Sequence, residues 1–271
     1  MHRPTLPILH ALSRSGATLV GKCLASMQGV ALLSEIHPHA SGIAGLLHQG
    51  RDWLGLLEAG EAERLAGAER FAEAVDLLRR RAEARGQRLV LREWSHLDFY
   101  GPPFVAEPAW RSSLVGLLGE GFALRRAVLV RHPVDQLMSL GRLAALGGVL
   151  DLPRFLRGHR LLAEMAAETG FVRYEDFTGD PDAVLRRLCG LLDLGFDPGY
   201  ARRWAAFDKI TGDIAPSRGN AVAEIRPLPR PALPPALLPR LLASDDYRRS
   251  LELLRYEHPV PVPVAGRAAP G

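Results

Sequence analysis

The sequence predicts an α/β fold, a mainly parallel sheet covered by helices and folded as one domain. Two observations carry this expectation. Short apolar runs of strand length alternate along the chain with longer stretches of helical period, the pattern of strand–helix–strand units. The 271 residues are 47% hydrophobic, enough for one sizeable core, and no repeat or linker interrupts residues 5–257.

Taken in order, the first strand is expected over Pro7–Leu12, followed by a turn at Ser13–Gly16 and a helix from Ala17 to Met27. Val30–Leu33 reads as the second strand. Arg51–Arg85 reads mostly as amphipathic helix, with Glu and Arg at helical spacing on its polar face. Strands follow at Arg88–Arg92, at Ala127–Arg131, where His132-Pro133 stops the ladder, and at Phe171–Tyr174 after Gly170. Asp180-Pro181 has the chemistry of a helix start, an N-cap side chain followed by proline at the first helical position. Residues 209–230 are rich in Gly, Pro, Ser and Arg and read as a loop. A last helix spans about Pro235–Tyr256, and 258–271 reads as a disordered tail.

Composition narrows the function. The net charge is +4, carried almost wholly by arginine, since Lys22 and Lys209 are the only lysines. No interleaving of basic and aromatic residues marks a nucleic-acid binder, whereas a basic pocket for a small polyanion fits. No apolar run approaches the ~18 residues of a membrane span, and Met1–Leu12 lacks the apolar core of a signal peptide. A soluble, cytoplasmic protein is the expectation. Cys23 and Cys189 both fall in apolar helical patterns and read as buried thiols.

The chemistry gathers first at Ser13-Arg14-Ser15-Gly16-Ala17-Thr18, between an apolar strand and a helix. In open α/β sheets ligands sit at the carboxyl ends of strands, where the next helix offers free N–H groups. Gly16 admits a phosphate close to the backbone, Ser15 and Thr18 bring hydroxyls, and Arg14 brings a charge that grips two anionic oxygens. A rival register, Gly16-Ala17-Thr18-Leu19-Val20-Gly21-Lys22-Cys23, approaches a Walker loop but puts Cys23 where magnesium needs a hydroxyl.

The Ser13–Leu19 segment resembles the 5′-phosphosulfate loop of the PAPS-dependent sulfotransferases, and other segments agree. Val128-Leu129-Val130-Arg131-His132-Pro133-Val134-Asp135, with Ser139 eight positions after Arg131, resembles that family's 3′-phosphate element, with His132 in place of the usual Asp or Asn. Val172-Arg173-Tyr174-Glu175-Asp176-Phe177 is similar to its Y-E-D-L segment, and Ser217-Arg218-Gly219 to the basic loop that closes over the nucleotide. The resemblance implies a P-loop-like three-layer sandwich and sulfonate transfer from PAPS, releasing PAP, without a metal. It implies nucleotide contacts from Arg14, Ser15, Gly16, Ala17, Thr18, Leu19, Arg131, Ser139, Tyr174, Arg218 and Gly219.

Transfer also needs a base for the acceptor's proton. Glu35, twenty-one positions after Arg14, corresponds to the basic glutamate of tyrosylprotein sulfotransferases. His96, in Trp94-Ser95-His96-Leu97, resembles the K-T-H-L segment of the cytosolic enzymes without its lysine. Both candidates stand at this point, with Asp98 a possible partner of His96. His37, His39 and His48 lack the carboxylate or thiolate spacing of a metal site. Trp94, Phe99, Tyr100 and Trp110 line an acceptor pocket or belong to the core. The acceptor itself, whether small molecule, carbohydrate or peptide, is not legible, nor is the oligomeric state; residues 41–85 and 101–110 are the expected selectivity elements. Two other functions are open, a Walker-type small-molecule kinase and a nucleotide-binding protein without transferase activity.

Overall fold

A computed structural model describes residues 3–40, 45–142, 151–212, 224–227, 229–230 and 233–259. Five strands, β1 (Thr5–Ala11), β2 (Val30–Ile36), β3 (Arg88–Glu93), β4 (Ala123–Val130) and β5 (Phe171–Arg173), form one all-parallel sheet in the order β2-β3-β1-β4-β5. The central strand β1 is buried from Leu6 to Ala11, so both of its faces are covered. That is why its sequence is apolar on both faces apart from His10, rather than alternating.

Helices cover both faces, and the fold is α/β as the sequence predicts. On one side α1 (Ala17–Ala25) and α10 (Pro181–Leu192) pack on Leu9, Val90, Ala127 and Leu129. On the other, α4 (Phe71–Ala84) and α6 (Ser113–Leu118) pack on Ile8, Leu33 and Leu91, and α8 (Leu152–Thr169) with α13 (Asp245–Leu254) on Val128 and Val130. Cys23 and Cys189 are buried thiols in the first of these layers. Asp180 accepts from the Ala183 N–H at the start of α10, so the Asp-Pro helix start forms as its chemistry dictates.

The expected single helix over 51–85 is broken into α2 (Leu46–His48) running on into one π turn at Gln49–Trp53, then α3 (Ala59–Arg64) and α4. Gly55 and Gly67 take left-handed φ values of 59° and 114°, which helical periodicity does not reveal. Glu61 accepts from the Glu58 N–H, marking a fresh helix start at α3. The expected last helix likewise divides into α12 (Leu237–Leu242) and α13, because the Ser244 hydroxyl caps a new start by accepting from the Tyr247 N–H. The shorter elements are α5 (Ser95–Phe99), α7 (Pro133–Leu140), α9 (Tyr174–Gly179) and α11 (Tyr200–Arg203). Tyr174, expected to end a strand, opens α9. No helix among the described residues is long and apolar enough to cross a membrane.

Candidate active site

The loop between β1 and α1 lies at the carboxyl end of the central strand. Arg14 and Gly16 take left-handed φ values of 69° and 88°. A Cβ at Gly16 would collide with the Tyr174 ring, so glycine is required both by backbone and by neighbour. Gly16 stands at the N-cap of α1, no side chain caps the helix there, and its first turn holds no acidic residue. The first-turn N–H groups, beginning with Ala17, Thr18 and Leu19, therefore offer an anion the partial positive charge of the helix. The Ser15 side-chain oxygen is buried and has no hydrogen-bond partner.

Three polar bonds fasten this loop to the β4–α7 turn. Arg131 Nη1 donates to the Arg14 carbonyl at 3.0 Å, Arg14 Nε donates to Ser139 Oγ at 3.0 Å, and Gln136 Nε2 donates to the Ser13 carbonyl at 2.6 Å. The Arg131 guanidinium lies over the Tyr174 ring, 4.9 Å from its centroid, and Arg131 Nε is buried without a partner. Burial raises the Tyr174 hydroxyl above its ordinary pKa, against the neighbouring Arg131 charge. Arg14, Ser15, Gly16, Thr18, Arg131, Ser139 and Tyr174 thus meet in one place, with Ala17 and Leu19 beginning the helix there. Ser217, Arg218 and Gly219 lie outside the described residues.

Several supports escape a reading of the sequence, some outside any motif and some inside one whose bonding the motif does not reveal. Gln136 is one. His159, on α8, holds the Arg131 carbonyl through Nε2 at 3.2 Å, and burial lowers its pKa to about 4. Glu175 accepts from the His132 N–H (2.9 Å) and the Tyr256 hydroxyl (2.7 Å), while His132 Nε2 donates to the Glu257 carbonyl (3.0 Å). Arg173 donates to the carbonyls of Leu254 and Arg255. The stretch 254–257 is therefore clamped across the ends of β4 and β5. Asp135 on α7 takes a forked pair from Arg230.

Glu35 reaches the same end of the sheet by a bulge. Ser34 pairs with Arg92 and Ile36 with Glu93, so Glu35 is the extra residue, at φ 53°. A Cβ at Gly212 would collide with Thr18 Oγ1 and lie 3.5 Å from Glu35 Oε1, which brings this carboxylate beside the loop. Arg92 Nη1 stands 3.9 Å from Glu35 Oε1.

His96 sits differently. It is 1% exposed, its Nε2 donates to the Pro102 carbonyl at 2.8 Å, and its ring packs against Tyr100 and Phe104. Burial depresses its pKa to about 4. Asp98 does not orient it: that carboxylate accepts from the Ser113 N–H and hydroxyl and lies 3.1 Å from His37 Nε2. His48 pairs instead with Asp52. Phe99 and Tyr100 belong to the core, whereas Trp94 stacks on exposed Phe104. Trp110 lies in a separate cleft of about 1000 Å³ between α6 and α8, which shares no residue with the loop site.

The Walker register does not form. Lys22 lies inside α1, 1% exposed, and its ammonium donates to the Ala205 carbonyl beside the Trp204 ring. Glu93, the carboxylate nearest to a magnesium ligand in sequence, is buried against His10 Nδ1 at 2.6 Å and accepts from the hydroxyls of Ser95 and Ser112. Burial alone would raise the Glu93 pKa, but His10 and the two hydroxyls hold it near 2.

No family model and no curated protein matches the chain. Solved structures do. The sulfotransferase domain of the Synechococcus PCC 7002 olefin synthase is similar with a TM-score of 0.65 at 19% identity, over 96% of this chain and 98% of that one. The sulfotransferase domain of the curacin biosynthetic pathway is similar with a TM-score of 0.61 at 18% identity, over 96% of this chain and 100% of that one. At these identities what is shared is the architecture, along nearly the whole length of each chain. This chain has the fold of the sulfotransferase domains.

Proposed function

We propose that the protein is a sulfotransferase that moves a sulfonate from PAPS to an acceptor hydroxyl or amine and releases PAP. The observation that carries the reading is the convergence of Arg14, Arg131 and Ser139 on an uncapped helix start. That cluster suits a ligand with two separate phosphate groups. Arg14, the Ser15 side chain and the first N–H groups of α1 suit the phosphosulfate end, and Arg131 with Ser139 the 3′-phosphate. The buried, unpartnered Ser15 oxygen and Arg131 Nε are the polar atoms such a ligand would satisfy.

Transfer of a sulfonate resembles phosphoryl transfer in needing position and charge neutralisation. The acceptor oxygen bonds to sulfur as the bond from sulfur to the bridging oxygen breaks, and the electron pair leaves with PAP. Arg14 and the helix start stabilise that departing charge. Glu35 takes the acceptor's proton, a role favoured for it over His96 by its place beside Thr18. His96 is enclosed by aromatic rings, with Nε2 committed to a carbonyl.

Calorimetry with PAP, and with ATP plus magnesium as control, tests the donor site, and radiolabelled PAPS with a panel of alcohols, phenols, sugars and amines tests transfer. Tight PAP binding with labelled product is expected. Binding of ATP with magnesium but not PAP would return the kinase reading. PAP binding with no transfer to any acceptor would favour a nucleotide-binding protein.

A further inference from the structure

The β2 bulge does more than add a residue. In a regular strand Ser34 and Glu35 would face opposite sides of the sheet. With Glu35 in the left-handed region, Ser34 and Glu35 both meet one side chain, Arg92 of β3. Arg92 is 3% exposed. Its Nη2 donates to Ser34 Oγ, to the Thr211 carbonyl at 2.9 Å and to Thr211 Oγ1 at 3.2 Å, while Nη1 faces Glu35 Oε1 at 3.9 Å. Ser34 Oγ also accepts from the Thr211 N–H at 3.1 Å, and Gln49 closes the outer edge by bonding the Ser34 N–H and carbonyl.

Among the described residues Glu35 is the one carboxylate paired with Arg92. A buried arginine held by three bonds from Nη2, with Nε left without a partner, is a costly arrangement to keep for packing alone. Its Nη1 addresses the strained, bulged carboxylate beside the phosphate loop. We propose that Arg92 is the positioning residue for Glu35: it fixes the carboxylate in the direction of the acceptor and holds the bulge that delivers it. The acceptor's proton goes to Glu35, and Arg92 keeps its own. This inference rests on Glu35 being the base.

A double-mutant cycle in the full chain tests it, using labelled PAPS and an acceptor from the panel above. The variants are Glu35→Gln, Arg92→Gln, Arg92→Lys and the combinations of each Arg92 change with Glu35→Gln. Arg92→Gln is expected to lower kcat roughly 10- to 100-fold, a part of what a general base supplies, with PAP affinity unchanged. The same change on the Glu35→Gln background should cost almost nothing, because Arg92 acts through that carboxylate. Arg92→Lys should recover part of the loss, and it carries the cycle if Arg92→Gln does not fold. Equal losses on both backgrounds, or a loss that follows weakened PAP binding, would overturn the role of Arg92 alone. Full activity in Glu35→Gln would overturn the base and this inference with it. A wild type that transfers to no acceptor would overturn the sulfotransferase reading.

Discussion

Arg14, in the loop after β1, and Ser139, on α7 after β4, share a hydrogen bond of 3.0 Å. The bond joins the residue proposed to hold the phosphosulfate end to one proposed to hold the 3′-phosphate. The two halves of the proposed donor site are thus one unit before any ligand arrives, and less ordering remains for binding to accomplish.

Removing that link should therefore be felt at both phosphates. Ser139→Ala is expected to weaken PAP binding about 10-fold, the loss of one charge-assisted bond of roughly 1.5 kcal/mol. Arg131→Ala should weaken it about 30-fold or more, since a phosphate clamp is worth roughly 2–4 kcal/mol. Calorimetry reads both. An Arg131→Ala chain that binds PAP like wild type would remove this residue from the donor site.

Gly16→Ala should lower both PAP affinity and the melting temperature. Left-handed backbone costs a non-glycine residue roughly 1–2 kcal/mol, and the added methyl meets the Tyr174 ring. Part of the damage should be undone by Tyr174→Ala in the same chain, because that clears the space while leaving the backbone cost. A double variant worse than Gly16→Ala by the full effect of Tyr174→Ala would show that the collision is not the cause.

Glu35→Gln keeps the shape of the bulge and removes the proposed base. The expected result is a fall in kcat of about 10²–10⁴ with PAP binding intact. His96→Gln should affect melting more than turnover, given a ring packed between Tyr100 and Phe104. The opposite pattern would move the base to His96.

Acid should loosen the molecule well above the carboxylate range. His96 and His159 are buried, and burial lowers each from an ordinary 6.5 to about 4. A group depressed in the folded state contributes stability that is complete above its unfolded pKa and lost as pH falls toward the folded one. The window is therefore pH 6.5 down to about 4, with roughly 2 kcal/mol lost per histidine by pH 5. Melting curves from pH 8 to 5 should fall in wild type and fall less steeply in His159→Gln, where His96 and the likewise depressed His132 still titrate. A wild-type melting temperature constant across that range would refute the assignment.

The strands were legible because their signals are local: a buried parallel strand needs a mostly apolar run, as in β1. The glycine and arginine spacing likewise singled out Arg14, Gly16, Arg131 and Ser139, which the fold brings together. The breaks at Gly55, Gly67 and Ser244 were not legible, because helical periodicity continues on both sides of them. Nor were Gln136, His159 and Arg92, whose partners lie on other elements and carry no motif. Asp98 shows the same limit in reverse: proximity in sequence suggested His96, and the fold gave it His37.

The clamp of residues 254–257 on β4, β5 and the His132 turn has a temporal meaning. A ribosome delivers the Arg14 loop and Arg131 before the carbonyls of Leu254, Arg255 and Glu257 and the Tyr256 hydroxyl. The nascent chain must emerge past Glu257 before the His132 turn gains these braces. Until then all five strands are present but the ends of β4 and β5 lack these contacts, a form more exposed to chaperones and to proteolysis than the finished fold.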